Sequence, residues 1–266
     1  MLKYFENRNI WITGASSGIG EGLVRHLSQV KCNLIISARR EEELVRVKNE
    51  NQNAATIEVL PLDLADGPSL EAKTKAAEAF FGGVDILFNN GGISQRDKVI
   101  HTSMEVQRQI MEVNYFGTIA LSKYVLPGMV KRKFGHHVTV TSAVGIISTP
   151  LRSGYSASKH AVHGFFDALR SEHFEDGIKV TLILPGYVNT QISYNALMGD
   201  GTQQNKLDKA QAAGLTVDQL VHKMLKKVAA QKEESYIGGF KEVMGIYMKR
   251  FFPSIFSILV RKMAVT

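Results

Sequence analysis

The chain has 266 residues, 44% hydrophobic and 21% charged, which is enough apolar material for one sizeable core and excludes a chain dominated by disorder. The single cysteine, Cys32, excludes an internal disulfide, and without a CxxC or Cys/His array no zinc site is expected. Net charge is +7, and residues 220–266 hold nine Lys/Arg against three acids, which reads first as a solvated basic face.

At the N-terminus, Lys3, Glu6 and Arg8 precede a short apolar run, so no secretory signal is expected. No window offers the roughly 20 apolar residues of a membrane span, and the expectation is a cytoplasmic protein. The first strand, expected at Ile10–Thr13, runs into Thr-Gly-Ala-Ser-Ser-Gly-Ile-Gly at 13–20. A helix over 19–30 follows, with Ile19, Leu23, Val24 and Leu27 on one face. Gly14, Gly18 and Gly20, with Ser16, Ser17 and Ile19 between them, suit a tight turn whose backbone N–H groups meet a pyrophosphate at the helix N-terminus. The same residues match G-x-S-x-G, the nucleophile elbow of hydrolases, but an elbow follows several strands and here only thirteen residues precede it. The dinucleotide reading is preferred.

The second strand, Asn33–Ala38, ends in Arg39-Arg40, with acids beginning only at Glu41 in a helix over 41–50. A carboxylate at the strand end would hold a ribose 2′-hydroxyl, whereas a guanidinium pairs with a 2′-phosphate, so the expected cofactor is NADP(H). A plain surface role is as good a reading for Arg40 and a weaker one for Arg39. Strands are expected next at Thr56–Pro61, Val84–Phe88, His137–Thr141 and Lys179–Leu184, with helices over 67–81, 104–133 and 155–175. Short apolar strands alternating with helices predict an α/β fold, a doubly wound parallel sheet (Rossmann fold) in three αβα layers, forming one domain over 1–266 with a small C-terminal lid or cap.

The last of these helices opens Gly-Tyr-Ser-Ala-Ser-Lys at 154–159. Tyr155 and Lys159 are four apart and share a face. A free phenol has a pKa near ~10, and a neighbouring cation lowers it, which would let Tyr155 trade a proton with a carbonyl oxygen. The pair alone is weak evidence. Ser142 strengthens it by ending a strand at the edge where doubly wound sheets bind ligands. Asn114 falls mid-helix, where asparagine is a poor former and distorts local hydrogen bonding.

Together these segments resemble the short-chain dehydrogenase/reductase family, over nearly the whole chain to about Thr190. The resemblance is carried by TGASSGIG (13–20), Asp63 in PLDL, NNGG (89–92), Asn114, Ser142, YSASK (155–159) and PGYVNT (185–190). It implies a catalytic tetrad of Asn114, Ser142, Tyr155 and Lys159, with Asn114 holding a water that relays protons to Lys159. It also implies cofactor contacts at Asp63 and Leu64 beside adenine, and at Asn89, Asn90 and Gly91 along the ribose side. Lys159 would meet the nicotinamide ribose, and Pro185, Gly186, Val188 and Thr190 the carboxamide end. Gly91 departs from the family's usual alanine, which should loosen the loop without removing a chemical group. LIISARREEELVRVK, PLDL and NNGGISQR resemble the branch of the 11β-hydroxysteroid dehydrogenases and dehydrogenase/reductase member 7, whose mammalian members carry an N-terminal membrane anchor not expected here.

Residues 191–215 are polar and aperiodic, and a substrate lid is expected over about 190–215, with Tyr187, Tyr194, Leu197 and Met198 facing the substrate or packing the lid. His136-His137 is expected at the surface, and neither His160 nor His163 has a third ligand at metal spacing. The basic, apolar segment over about 240–266 reads as closing the site or packing on a sister subunit, ahead of a peripheral membrane contact. The expected function is NADP(H)-dependent interconversion of a carbonyl and a primary or secondary alcohol on a small apolar substrate, by a homodimer or homotetramer. A non-catalytic NADP-binding sensor or scaffold is the alternative, and a nucleic-acid role is not expected.

Overall fold

The computed structural model describes residues 2–261. Seven parallel strands form one sheet: β1 (Asn9–Thr13), β2 (Asn33–Ser37), β3 (Thr56–Val59), β4 (Ile86–Asn89), β5 (Gly135–Val140), β6 (Ile178–Pro185) and β7 (Glu234–Ile237), in the order β3-β2-β1-β4-β5-β6-β7. The helices are α1 (Gly18–Leu27), α2 (Glu41–Glu50), α3 (Gly67–Phe81), α4 (Met104–Met111), α5 (Thr118–Arg132), α6 (Ser153–Glu172), α7 (Lys209–Ala212), α8 (Val217–Ala229), α9 (Phe240–Phe251) and α10 (Pro253–Val260).

Alternation along each strand sorts the core into two layers, because successive side chains leave opposite faces. Ile10, Ile12, Leu34, Ile36, Ile86 and Phe88 pack with Leu23, Val24 and Leu27 of α1 and Leu220, Val221 and Met224 of α8. Trp11, Ile35 and Leu87 face Leu121 and Val125 of α5 and Val162 and Phe166 of α6. Both faces are covered, which is why these strands read as continuous apolar runs. Gly22 lets α1 and α8 approach closely, since a Cβ there would stand 2.4 Å from Val217 Cγ1.

Three local expectations are corrected. The helix over 104–133 is interrupted by a π-helical turn, Glu112–Gly117, that carries Asn114; the asparagine amide bonds outside its helix instead of projecting from a regular turn. His136 and His137 are fully buried on β5, and burial pushes both imidazoles down to about 3. His136 sits between the Tyr4 hydroxyl and Thr181, each at 2.8 Å, whereas neither ring nitrogen of His137 has a hydrogen-bond partner among the described residues. A seventh strand, β7, joins the sheet edge beside β6; it is short and half polar, so its pattern carries little signal. Among the described residues no helix is long and apolar enough to cross a membrane. Lys262–Thr266 of the expected C-terminal segment lie outside the described residues.

Candidate active site

Strand order reverses between β1 and β4, and a cavity of about 1690 Å³ opens there, over the carboxyl ends of β1, β2, β4, β5 and β6. This is the switch point at which doubly wound sheets hold ligands. Gly14, Ser16, Ser17, Gly18 and Ile19 line it at the mouth of α1. Gly14 and Gly18 take φ of +65° and +56°, a region costly for other residues. A Cβ on Gly14 would also lie 2.8 Å from Gly91 Cα, so two glycine backbones pass in contact. Gly20 does not line the cavity: a Cβ there would fall 2.1 Å from the Gly14 carbonyl, so its part is to seat the loop on α1.

Arg39, Arg40, Asp63 and Leu64 line the far end. Both arginines are exposed, and among the described residues neither is in an ion pair. The nearby Glu43 is held by Arg46, which also pairs with Glu21 and Glu50. Asn90 and Gly91 line the cavity, with Asn90 bonded to the Thr13 and Gly14 carbonyls. Asn89 does not: it is buried, and its amide donates to Ser122 and Thr139 hydroxyls at 2.9 and 3.3 Å, so it ties β4 to α5 and β5 instead of facing a ribose. Gly91 makes room for Leu64, whose Cδ1 would stand 2.7 Å from a Cβ there.

At the other end Ser142, Tyr155 and Lys159 line the same cavity. Ser142 follows β5 and caps the turn Ala143–Gly145. Tyr155 occupies the first turn of α6, which is pinned by Gly154 N–H donating to Gln95 Oε1 at 3.2 Å. Lys159 is buried and donates to the Val140 carbonyl at 3.0 Å, and burial lowers its ammonium to about 8. The expected lowering of the Tyr155 phenol by Lys159 is corrected. Burial holds the phenol above its usual range, and the opposing charges are the guanidiniums of Arg96 and Arg152, aided by a hydrogen bond with Ser142. The reason is geometric, for the ammonium is drawn to a strand carbonyl and lies 5.8 Å from the centre of the phenol ring.

Asn114 lies behind this wall and does not line the cavity. Its Oδ1 accepts from Ile93 N–H at 2.8 Å, and its Nδ2 donates to the Ile93 carbonyl and to Ser158, whose hydroxyl donates to the Tyr155 carbonyl. It therefore ties the loop after β4 to the turn of α6 that carries Tyr155. Gly92, given no role of its own within NNGG, sits between: a Cβ there would be 3.0 Å from Asn114 Oδ1 and 3.6 Å from Lys159 Nζ. Arg96 and Arg152 were also missed, being unremarkable loop cations until folding buries them.

Pro185, Gly186, Val188 and Thr190 complete the lining, Thr190 approaching Gly18 across the cleft. Of the four residues expected to face the substrate or pack the lid, Tyr187 and Leu197 line the cavity, Met198 is partly buried outside it, and Tyr194 is exposed. The C-terminal helices close one side with Phe240, Met244, Met248, Phe256 and Leu259. Among the described residues no cluster of His, Cys, Asp or Glu could hold a metal ion.

The family model for short chain dehydrogenase matches residues 8–199. The human protein named dehydrogenase/reductase SDR family member 7 is 45% identical over 251 residues, 92% of this chain and 74% of that one. Among solved structures, a short-chain dehydrogenase/reductase from Burkholderia phymatum in complex with NAD superposes with a TM-score of 0.84 at 21% identity, covering 95% of this chain and 96% of that one. An alcohol dehydrogenase from Thermococcus sibiricus complexed with 5-hydroxy-NADP gives 0.76 at 24% identity, over 88% and 97%. By the family model over residues 8–199 and the 45% identity to the human relative, the chain belongs to the short-chain dehydrogenase/reductase family of oxidoreductases, in the branch of dehydrogenase/reductase member 7.

Proposed function

We propose that the protein is an NADP(H)-dependent oxidoreductase that interconverts a carbonyl and a primary or secondary alcohol on a largely apolar substrate. The observation that carries this reading is the convergence of Ser142, Tyr155 and Lys159 on the cavity that also holds the glycine loop. The cradle fits a nicotinamide dinucleotide, because its glycines leave no side chain over the α1 N-terminus. When bound, that group supplies or accepts a hydride.

Gly14, Ser16, Ser17, Gly18 and Ile19 would hold the pyrophosphate. Asp63 and Leu64 would meet adenine, Asn90, Gly91 and Lys159 the ribose side, and Val188 and Thr190 the carboxamide beyond Pro185 and Gly186. Arg39 and Arg40, exposed and without an ion pair among the described residues, support the choice of the 2′-phosphorylated form.

In reduction Ser142 orients the carbonyl oxygen and Tyr155 gives it the phenolic proton; oxidation reverses the transfer. Lys159 keeps a positive charge on the proton path, and Asn114 holds the turn that carries Tyr155 in register. Met244, Met248, Phe256 and Leu259 favour an apolar body for the substrate, and we read α9 and α10 as closing this site ahead of a membrane contact. We read the assembly as a homodimer or homotetramer built on α4–α5 and α6, where the rings of Phe116 and Tyr124 are exposed.

The test is a panel of ketones, aldehydes and steroids with NADPH and NADH, followed by loss of reduced-nicotinamide absorbance. Turnover of apolar carbonyls with NADPH is expected. Nucleotide binding without turnover of any member would favour a sensor.

A further inference from the structure

Beside Tyr155 the cavity wall carries a group of charges that the chemistry above does not use. Arg96 and Arg152 line the cavity and are 4% and 5% exposed. Both reach one oxygen: Arg96 Nε lies 2.8 Å and Arg152 Nη2 3.3 Å from Asp208 Oδ2, and Asp208 is 1% exposed. The remaining Asp208 oxygen accepts from Gln204 at 3.0 Å. Arg96 Nη1 donates to Ser94 Oγ and to the Gln95 carbonyl, each at 2.7 Å, while its Nη2 has no acceptor among the described residues. Nη2 is not sealed from solvent, and Arg96 lines the cavity, which leaves this donor available to a ligand there.

A latch that only tied residues 190–216 to the core would need one guanidinium for one carboxylate. Arg96 already pairs with Asp208 through Nε, which leaves its Nη2 edge for another acceptor. The acids that line the cavity are Glu242, in the first turn of α9 against Gly186 and Gly239, and Asp63. Arg152 immediately precedes α6, whose first turn carries Tyr155, and Gln95, next to Arg96, accepts from Gly154 N–H at 3.2 Å, so both cations stand at the reacting end of the cavity. Elsewhere the lining includes the apolar side chains of Val144, Ile147, Met244, Met248 and Phe256.

We infer that the substrate carries a carboxylate close to its reacting carbonyl, received by Arg96 Nη2 with Arg152 beside it, and an apolar body that fills the rest. The ligand class is an amphipathic oxo acid or its hydroxy acid. The carboxylate takes no part in the bond changes; hydride reaches the carbonyl carbon and the phenolic proton reaches its oxygen. This rests on the oxidoreductase reading and adds the substrate class to it.

The experiment uses the full chain with NADPH and a ladder of phenyl-substituted oxo acids, the carboxylate one to three bonds from the ketone, each against its methyl ester and a neutral phenyl ketone. At least one acid should exceed its ester in kcat/KM by about tenfold or more, the range of a hydrogen bond to a charged group. Arg96→Gln should bring that ratio toward one, and Arg96→Lys should keep part of it. Should Arg96→Gln not fold, the wild-type ratio decides alone. Esters or neutral ketones reduced as fast as every acid would overturn the inference and leave the oxidoreductase reading intact, as would a ratio that survives Arg96→Gln. No turnover of any acid, ester or ketone would sink both.

Discussion

Lys159 donates its ammonium to the Val140 carbonyl at 3.0 Å, so the cation is moored to the end of β5 instead of to the phenol one helical turn away. Burial lowers it to about 8, which makes it a group that titrates near neutrality. Below that value Lys159 is charged and can return a proton toward Tyr155; above it the charge is lost. Carbonyl reduction should therefore fall by about tenfold per unit as pH rises beyond 8, while alcohol oxidation does not share that limb. Lys159→Met should remove the limb along with most of the rate. A reduction profile flat to pH 10 in the wild type would refute it.

Tyr155→Phe leaves the ring and the packing of α6 but removes the only phenol on the proposed proton path. The expected loss is about 10²–10⁴ in kcat, the usual contribution of general acid–base catalysis. NADPH binding, read by nucleotide fluorescence, should change little. Comparable turnover in the variant would end the assignment.

Gly92 is the residue between Asn114 Oδ1 and Lys159 Nζ. Gly92→Ala would press a methyl group 3.0 Å from that oxygen, a contact tight enough to shift the Asn114 amide off Ile93. kcat should drop by roughly tenfold, as expected when a supporting residue moves a site by fractions of an ångström. Gly91→Ala is the control, since there the clash falls on the end of the Leu64 side chain, which can rotate away. Equal losses in the two variants would contradict this account.

Arg39→Asp reverses the charge at the adenosine end. A carboxylate repels a 2′-phosphate and accepts from a 2′-hydroxyl, so the NADPH/NADH ratio of kcat/KM should fall by about 10²-fold, the scale of losing a charge-assisted contact and gaining a repulsion. An unchanged ratio would mean that Arg39 lies clear of the nucleotide.

His136 and His137 make the fold sensitive to acid. Their folded pKa values, about 3, lie below the ordinary 6.5 of the unfolded chain, so in that window the unfolded state binds more protons. Their neutral burial costs nothing in charge above 6.5. Stability is lost as pH falls from 6.5 towards 3, at roughly 1.4 kcal/mol per unit for each histidine. His137→Leu, which also removes two buried nitrogens that have no partner among the described residues, should raise stability at neutral pH and make its fall between pH 7 and 5 shallower by urea titration. A steeper acid limb in the variant would refute it.

The legible part of this protein was its local grammar. The glycine loop, six of the seven strands and the Tyr155–Lys159 spacing each occupy a few consecutive residues whose φ, period or helical register follows from residue type alone, and the structure keeps all of them. Even the unease of Asn114 in its helix was readable, and became a π-helical turn. β7 escaped because four residues with one polar edge carry no period, and the buried histidines escaped because a polar pair beside a strand looks the same in solvent or in a core until neighbours cover it.

Sequence by itself determined which chemistry the chain can hold: a loop for a pyrophosphate, a phenol and an ammonium on one helix face, and a serine at a strand end. Tertiary structure alone decided the charges around that phenol. Arg96, Arg152 and Asp208 are up to 112 residues apart and meet only when the segment after β6 folds over the loop after β4. Burial and proximity are properties of that meeting, and no periodicity encodes a distance between residues so far apart in the chain.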